Sequence, residues 1–261
     1  DENCQRYWRN ILLTPYESGG KMNNRQETPA HCKDCPTYKK SLFCDLPDES
    51  LDSMAKNKVT NFYKKGTTLF FEGTPNYGLF EVCSGKIKIS KLTSNGSCTI
   101  VDIASAGDTI GLNSILEKQL YTTSAEAVED SVVCFFDKHF FINSVLKEKP
   151  VVINIIDRLS REIHNSTNRI SSLSQKNVRE RLAELILSLS ENYGGVELDS
   201  NNENLDILLS RDEMASMIGV AKETLIRTLS DFKDEGLISQ KGKYLYLQNR
   251  NKLNQYANLQ Y

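Results

Sequence analysis

The stretch SRDEMASMIGVAKETLIRTLSDFKDEG, Ser210 to Gly236, decides the fold, because it reads as two short helices joined by a tight turn. Ser210 followed by Glu213 is a capping-box pattern, in which hydroxyl and carboxylate each satisfy a free amide at a helix start. A helix is therefore expected from Arg211 to Ile218, with Met214 and Ile218 on one face and Gly219 supplying the permissive backbone of the turn. In the second helix Leu225, Leu229 and Phe232 fall at helical spacing and face inward, leaving Lys222, Glu223, Ile226 and Arg227 outward. Their chemistry suits base reading. Arg227 matches the N7 and O6 of guanine, Glu223 the amino group of cytosine and Ile226 a thymine methyl, while Lys222 suits a phosphate. The plainer alternative is a solvated Glu223–Arg227 pair, stabilising the helix by about 0.2–0.5 kcal/mol. The tail favours DNA: Leu237 and Ile238, then KGKYLYLQN with Gly242 between short alternating strands, make a wing.

AKETLIR and the following GLISQKGKYLYL resemble the recognition helix and wing of the CRP/FNR family of bacterial transcription regulators. The resemblance implies that Glu223 and Arg227 read bases, with Ile226 and Lys222 as variable readers beside them. Arg211 and Thr224 complete the expected DNA-contacting set. One departure is Ala221, where family members often carry Ser or Thr; an alanine cap costs about 1 kcal/mol of helix stability.

A chain of 261 residues is long enough for two domains, each with its own core. With 34 acidic and 32 basic residues the global charge does not advertise nucleic acid, so attraction to DNA must come from local placement. No apolar run approaches the roughly eighteen residues needed to cross a bilayer, and no charged-then-apolar leader is visible. A soluble cytoplasmic protein, with no membrane partner, is expected. Seven cysteines, an odd number, suit reduced thiols or metal ligands better than a fully paired disulfide framework.

Residues 1–45 form a cysteine-bearing amino-terminal segment, polar and aperiodic up to about Ala30, with Trp8 as its one large anchor. HCKDCPTYKKSLFCDLP then places Cys32, Cys35 and Cys44 in a C-x2-C-x8-C run. Three thiols so close in a loop can wrap a metal centre. Thiolates are the ligands of zinc and of iron–sulfur clusters, and a cubane cluster needs four, so a fourth must come from elsewhere.

Over residues 46–149, short apolar stretches alternate with glycines at 66, 73, 78, 85, 96 and 107, which are expected to close the turns of an antiparallel β-roll. In GKIKIS, Ile87 and Ile89 alternate with Lys86 and Lys88, giving one buried and one solvated face. This region resembles the family's double-stranded β-roll, which in one branch grips cyclic AMP with Gly-Glu and Arg-Ser pairs. Here Leu112 follows Gly111, and Tyr121 and Thr122 stand where the arginine and serine belong. A buried phosphate would lack its partner charge, so a cyclic nucleotide is not expected.

The FNR-like branch is closer. There, three amino-terminal cysteines join a fourth on a late roll strand to hold an oxygen-labile [4Fe-4S] cluster, which carries over to Cys32, Cys35, Cys44 and Cys134. The gap before Cys44 is longer than the branch's usual one, and Cys4 is the alternative third ligand. The competing reading of Cys134 is a small hydrophobe on an inward face with Val132 and Phe136. Cys83 and Cys98, in other strands, read as core fillers.

Across 150–174, Val152, Ile156, Leu159, Ile163, Ser166, Ile170 and Leu173 alternate steps of four and three. Such a seam, sustained over about three heptads, makes a coiled coil with an identical helix, hence a symmetric homodimer. Ser166 interrupts it with a hydroxyl that can bond back to the helix carbonyls. Residues 175–261 form the winged helix-turn-helix domain. Within it SLSQKNVRERLAELILSLSENYGG is FNR-like, with Leu182, Leu185, Ile186 and Leu189 facing the core up to Gly194.

The fold class expected is α+β: a β-roll, a dimerisation helix and a winged helix-turn-helix. The function expected is a homodimeric regulator that senses oxygen or redox state, binds a palindromic site in double-stranded DNA and acts through RNA polymerase. The alternative is a regulator of the same family without a cluster, constitutively dimeric or controlled by another small ligand in the roll. A metal-dependent jelly-roll enzyme would need clustered histidines on barrel strands. His31, His139 and His164 are too few and too scattered along the chain.

Overall fold

The computed structural model describes residues 32–92, 98–117, 120–193, 203–205, 209–241 and 244–257. Cys4, Trp8, His31, Gly96, Gly194 and Gly242, on which sequence expectations fall, lie outside the described residues.

Helix α1 (Asp48–Asn57) leads into eight strands: β1 (Lys58–Tyr63), β2 (Thr68–Phe70), β3 (Gly78–Ser84), β4 (Lys86–Leu92), β5 (Cys98–Ser105), β6 (Thr109–Ile110), β7 (Ser124–Ala127) and β8 (Ser131–Asp137). A short helix α2 (Leu112–Leu116) sits between β6 and β7. The strands form two four-stranded antiparallel sheets, ordered β1-β8-β3-β6 and β2-β7-β4-β5. Phe70, Phe80, Val82, Ile87, Tyr121 and Val133 fill the space between them. Period-two alternation is obeyed in β4: Ile87 is fully buried, whereas Lys88 pairs with Glu126 (3.0 Å) and Glu213 (3.2 Å).

In the first sheet, strands β3 and β8 are buried on both faces over most of their length. Its outer face, carrying Leu79, Cys134 and Phe136, lies beneath Leu42 and Phe43, α1, α3 (Lys138–Asn143) and the first turns of α4 (Lys149–Gln175). Cys134 and Phe136 therefore do not face the roll interior as expected; Val133 and Phe135 do. Cys98, expected as a core filler, is exposed at the start of β5. Gly66, Gly73, Gly85 and Gly107 have positive φ, as turns require, but Gly78 begins β3. A Cβ there would lie 2.1 Å from the Phe136 carbonyl oxygen, so this glycine allows close strand approach.

The carboxy-terminal module comprises α5 (Val178–Tyr193), β9 (Glu203–Leu205), α6 (Arg211–Ile218), α7 (Lys222–Asp234), β10 (Ile238–Lys241), β11 (Tyr244–Leu247) and α8 (Arg250–Ala257). Leu182, Ile186, Met214, Leu225, Leu229 and Phe232 share its core, as the spacing predicts, and Ile100 and Ile103 of β5 join it from the roll. The wing hairpin β10–β11 acquires a third strand, β9, that the sequence reading lacked.

The predicted cap and turn are both present. Ser210 Oγ accepts from the Glu213 amide (3.2 Å), and Glu213 Oε2 accepts from the Ser210 amide (2.7 Å). Gly219 ends α6 in the left-handed region, φ 67°, and a Cβ there would meet Leu173 Cδ2 at 3.3 Å. Gly219→Ala is expected to destabilise the protein by about 1–2 kcal/mol, seen as a lower urea midpoint. An unchanged midpoint would show that the turn relaxes.

Candidate DNA-reading surface and thiol pocket

Burial of Leu225, Leu229 and Phe232 fixes the rotation of α7, and the opposite face is left to solvent. Lys222, Glu223, Ile226 and Arg227 are all exposed there, and Thr224 is half-buried. Among the described residues no ion pair joins Glu223 to Arg227, so the surface-pair alternative is not realised. Lys222 instead bridges to Asp212 of α6 (2.6 Å), and Arg211 donates to Gln240 of the wing (3.1 Å). Arg211 thus ties the first helix to the wing. Ala221 makes no side-chain cap, as its methyl dictates.

Helix α4 spans all the residues of the expected seam. Val152, Ile156, Ile163, Ser166, Ile170 and Leu173 are exposed, with Ile163 and Ile170 each 68% accessible. Leu159 departs from the set, lying half-buried against the roll's outer core. Val151 and Ile155, one residue before two of the seam positions, are buried in that core. One helix therefore presents a covered face and a bare apolar ridge. The covered face is also tied by polar contacts: Asn154 Nδ2 donates to the carbonyls of Leu42 (3.1 Å) and Cys44 (3.3 Å), and Arg158 pairs with Asp108 (3.1 Å).

The thiols gather on the outer face of the roll. Cys32 and Cys35 flank a 3-10 turn, and together with Cys83 of β3 and Cys134 of β8 they line one small pocket, with Ser41, Lys58 and Glu81. The Cys83 and Cys134 sulfurs are 3.2 Å apart, and the Cys35 sulfur is 3.0 Å from the Thr37 hydroxyl. Cys44 is not among the lining residues. Its sulfur lies on the α4 side, 3.5 Å from Asn154 Nδ2. As they stand, no three His, Cys, Asp or Glu among the described residues are arranged to hold a metal ion.

Charge in the pocket is uneven. The hydrogen bond with Cys83 draws the Cys35 thiol down to about 5 and the Cys134 thiol down to about 7, assisted by Thr37 and Thr60 respectively. Those same hydrogen bonds hold Cys83 protonated, and burial pushes Cys32 up to about 11. Burial also pushes Glu81 up to about 8, and its Oε2 has no partner within the protein. A neutral Glu81 spares the pocket a further negative charge. The donor chemistry fits an iron–sulfur group: thiolates supply its ligands, and Lys58 beside them favours their charge. Cys83, expected as a core filler, is half-buried against the outer core and also lines this pocket.

Among the described residues, those packed in the roll interior are apolar or aromatic, with no lysine or arginine among them. Tyr121 is buried and stacks on Phe70 at 3.9 Å between ring centroids, with its hydroxyl donating to the Gly78 carbonyl.

A β-roll joined through a long exposed helix to a winged helix-turn-helix defines a DNA-binding regulator with a separate sensing module. Residues 60–148 match the family model for a cyclic nucleotide-binding domain, and residues 180–256 that for a Crp-like helix-turn-helix domain. The chain is 31% identical over 230 residues to electron transport regulator A of Shewanella oneidensis, covering 86% of this chain and 89% of that protein. It is 30% identical over 222 residues to the transcriptional activator protein anr of Pseudomonas aeruginosa, covering 84% and 88%. The structure of FixK2 from Bradyrhizobium japonicum shares the fold, with TM-score 0.67 over 76% of this chain and 96% of that one at 22% identity. The protein belongs to the CRP/FNR family of transcription regulators, whose members bind DNA and act as dimers. Among the described residues no helix is long and apolar enough to cross a membrane.

Arg227→Ala is expected to weaken binding to the cognate DNA by about 1–3 kcal/mol, the range of one bidentate base contact. Because Arg227 is exposed, the thermal midpoint should not move. Titration of labelled duplex with both proteins checks this.

Proposed function

We propose that this protein is a homodimeric, oxidant-sensing transcription regulator whose [4Fe-4S] cluster is held by Cys32, Cys35, Cys134 and a fourth thiol. The observation that carries the reading is that Cys32 and Cys35 of the amino-terminal turn line one pocket with Cys134, beneath the helix that exposes the apolar ridge. Similarity to a protein named for electron transport regulation supports a redox signal. When bound, such a cluster supplies an oxidant-sensitive link between the turn and the sheet, with reduction potential tuned by surrounding hydrogen bonds and solvent exposure.

The chain's own residues would carry the signal outward. Leu42 and Phe43 wedge the cysteine segment against the roll, and Asn154 grips the Leu42 and Cys44 carbonyls from α4. Movement of that segment therefore bears on how α4 meets its copy along Val152, Ile156, Ile163, Ser166, Ile170 and Leu173. The pairing in turn sets the separation of two α7 helices. Two-fold symmetry then calls for a palindromic DNA site with half-sites about one turn, near 34 Å, apart. Transcription is altered through RNA polymerase, and a cyclic nucleotide has no part in the switch.

Two measurements test this. Protein purified without oxygen should be coloured and contain iron, and colourless protein free of iron and zinc would end the cluster reading. Ile163→Asp places a charge on the exposed ridge and should convert the dimer to a monomer by sedimentation while leaving the fold intact. A dimer that survives would move the interface elsewhere.

A further inference from the structure

On the outer face of the roll, β3 and β8 run antiparallel with Glu81 opposite Cys134, and the register shifts between Val82 and Ser84. Cys83 is the residue in that irregularity. Strand alternation puts it on the same side as Leu79 and Glu81, away from Phe80 and Val82 in the roll interior. A bulge of this kind re-aims a side chain, and here the Cys83 sulfur comes within 3.2 Å of the Cys134 sulfur. It also lines the same pocket as Cys32 and Cys35.

Cys44 is held differently. Leu42, Phe43 and Leu46 around it are all buried in the core beneath α4. Asn154 fixes the Leu42 and Cys44 carbonyls and approaches the Cys44 sulfur, and Asp45 follows in the left-handed region at φ 68°. Bringing the Cys44 sulfur into the pocket would break the Asn154 contacts that hold this loop. Cys83 and Cys134 already line the pocket with Cys32 and Cys35, and a cluster would push their sulfurs, now 3.2 Å apart, away from each other.

We infer that Cys83 supplies the fourth thiol, so that the ligand set is Cys32, Cys35, Cys83 and Cys134, and that Cys44 is a structural residue of the loop clamped by Asn154. The inference rests on the cluster reading above and names the ligand which that reading leaves open. It also gives Cys83, on a strand of the sheet, a direct part in joining the amino-terminal turn to the roll.

The full chain, Cys83→Ala and Cys44→Ala are reconstituted without oxygen using ferrous iron and sulfide, and iron, sulfide and visible absorbance are measured on each. The expected result is loss of most iron from Cys83→Ala and wild-type loading of Cys44→Ala. A second measurement needs no variant: the loaded wild-type chain is alkylated, and each cysteine is then mapped by mass spectrometry. Cys32, Cys35, Cys83 and Cys134 should be protected, and Cys98, exposed in the structure, should be modified. Full loading of Cys83→Ala, or modification of Cys83 in the loaded wild type, overturns the assignment while leaving the cluster reading intact. A wild-type chain that takes up no iron overturns both.

Discussion

Helix α4 is a single rod of 27 residues, about 40 Å long at the usual rise, and its two faces are subject to opposite demands. Val151 and Ile155 must be covered by the roll, and Ile156, Ile163 and Ile170 stay uncovered in the single chain. Because a helix cannot rotate one face without the other, any change in how the buried face seats also re-aims the ridge. The rod reaches the DNA-reading module as well: Arg169 donates to carbonyls of Val101, Ile100 and Met217, and Leu173 lies beside the turn glycine Gly219. Cysteine segment, roll and reading module are thus all attached to one element.

The thiol pocket owes its position to two strands, β3 and β8, buried on both sides. Most roll strands need bury only one face, but the outer face of β3 and β8 is roofed by α1, α3 and the cysteine segment, so groups pointing outward there are still withdrawn from water. That explains how Glu81 and three half-buried cysteines coexist with Cys134 in a confined space. Burial alone would disfavour charge on every one of them. Hydrogen bonds with Cys83 and the proximity of Lys58 offset that penalty for Cys35 and Cys134, leaving Cys32 and Cys83 protonated beside them.

The features legible in the sequence were those written in local periodicity. The cap at Ser210, the inward leucines of α7 and the seam of α4 each depend on residues within a few turns of one another, and helical spacing orients them without knowledge of the rest. Leu159 departs from the exposed set because a seam position and a roll-facing position share the same spacing, and only the packed roll distinguishes them. The thiol pocket was half legible. The C-x2-C step and Cys134 were visible as candidates, but which cysteine would join them depends on a long-range strand pairing with an irregularity at Cys83, which leaves no local signature. Strand β9 was missed for a related reason: Glu203–Leu205 is three residues long and is stabilised by pairing with β11.

The scale of the proposed coupling follows from these contacts. Allosteric coupling between sites is typically about 1–3 kcal/mol, and a neutral hydrogen bond contributes about 1 kcal/mol net. Asn154 alone makes two bonds to the cysteine segment, so its engagement or release falls within the required range without large rearrangement. The symmetry of a dimer counts each such change twice. In the proposed switch, a few polar contacts at one end of α4 would bias two recognition helices at the other, provided that the rod stays continuous through Ser166. Thr167, the next residue, does bond its hydroxyl back to the Ile163 carbonyl at 2.9 Å, and the helix is unbroken there.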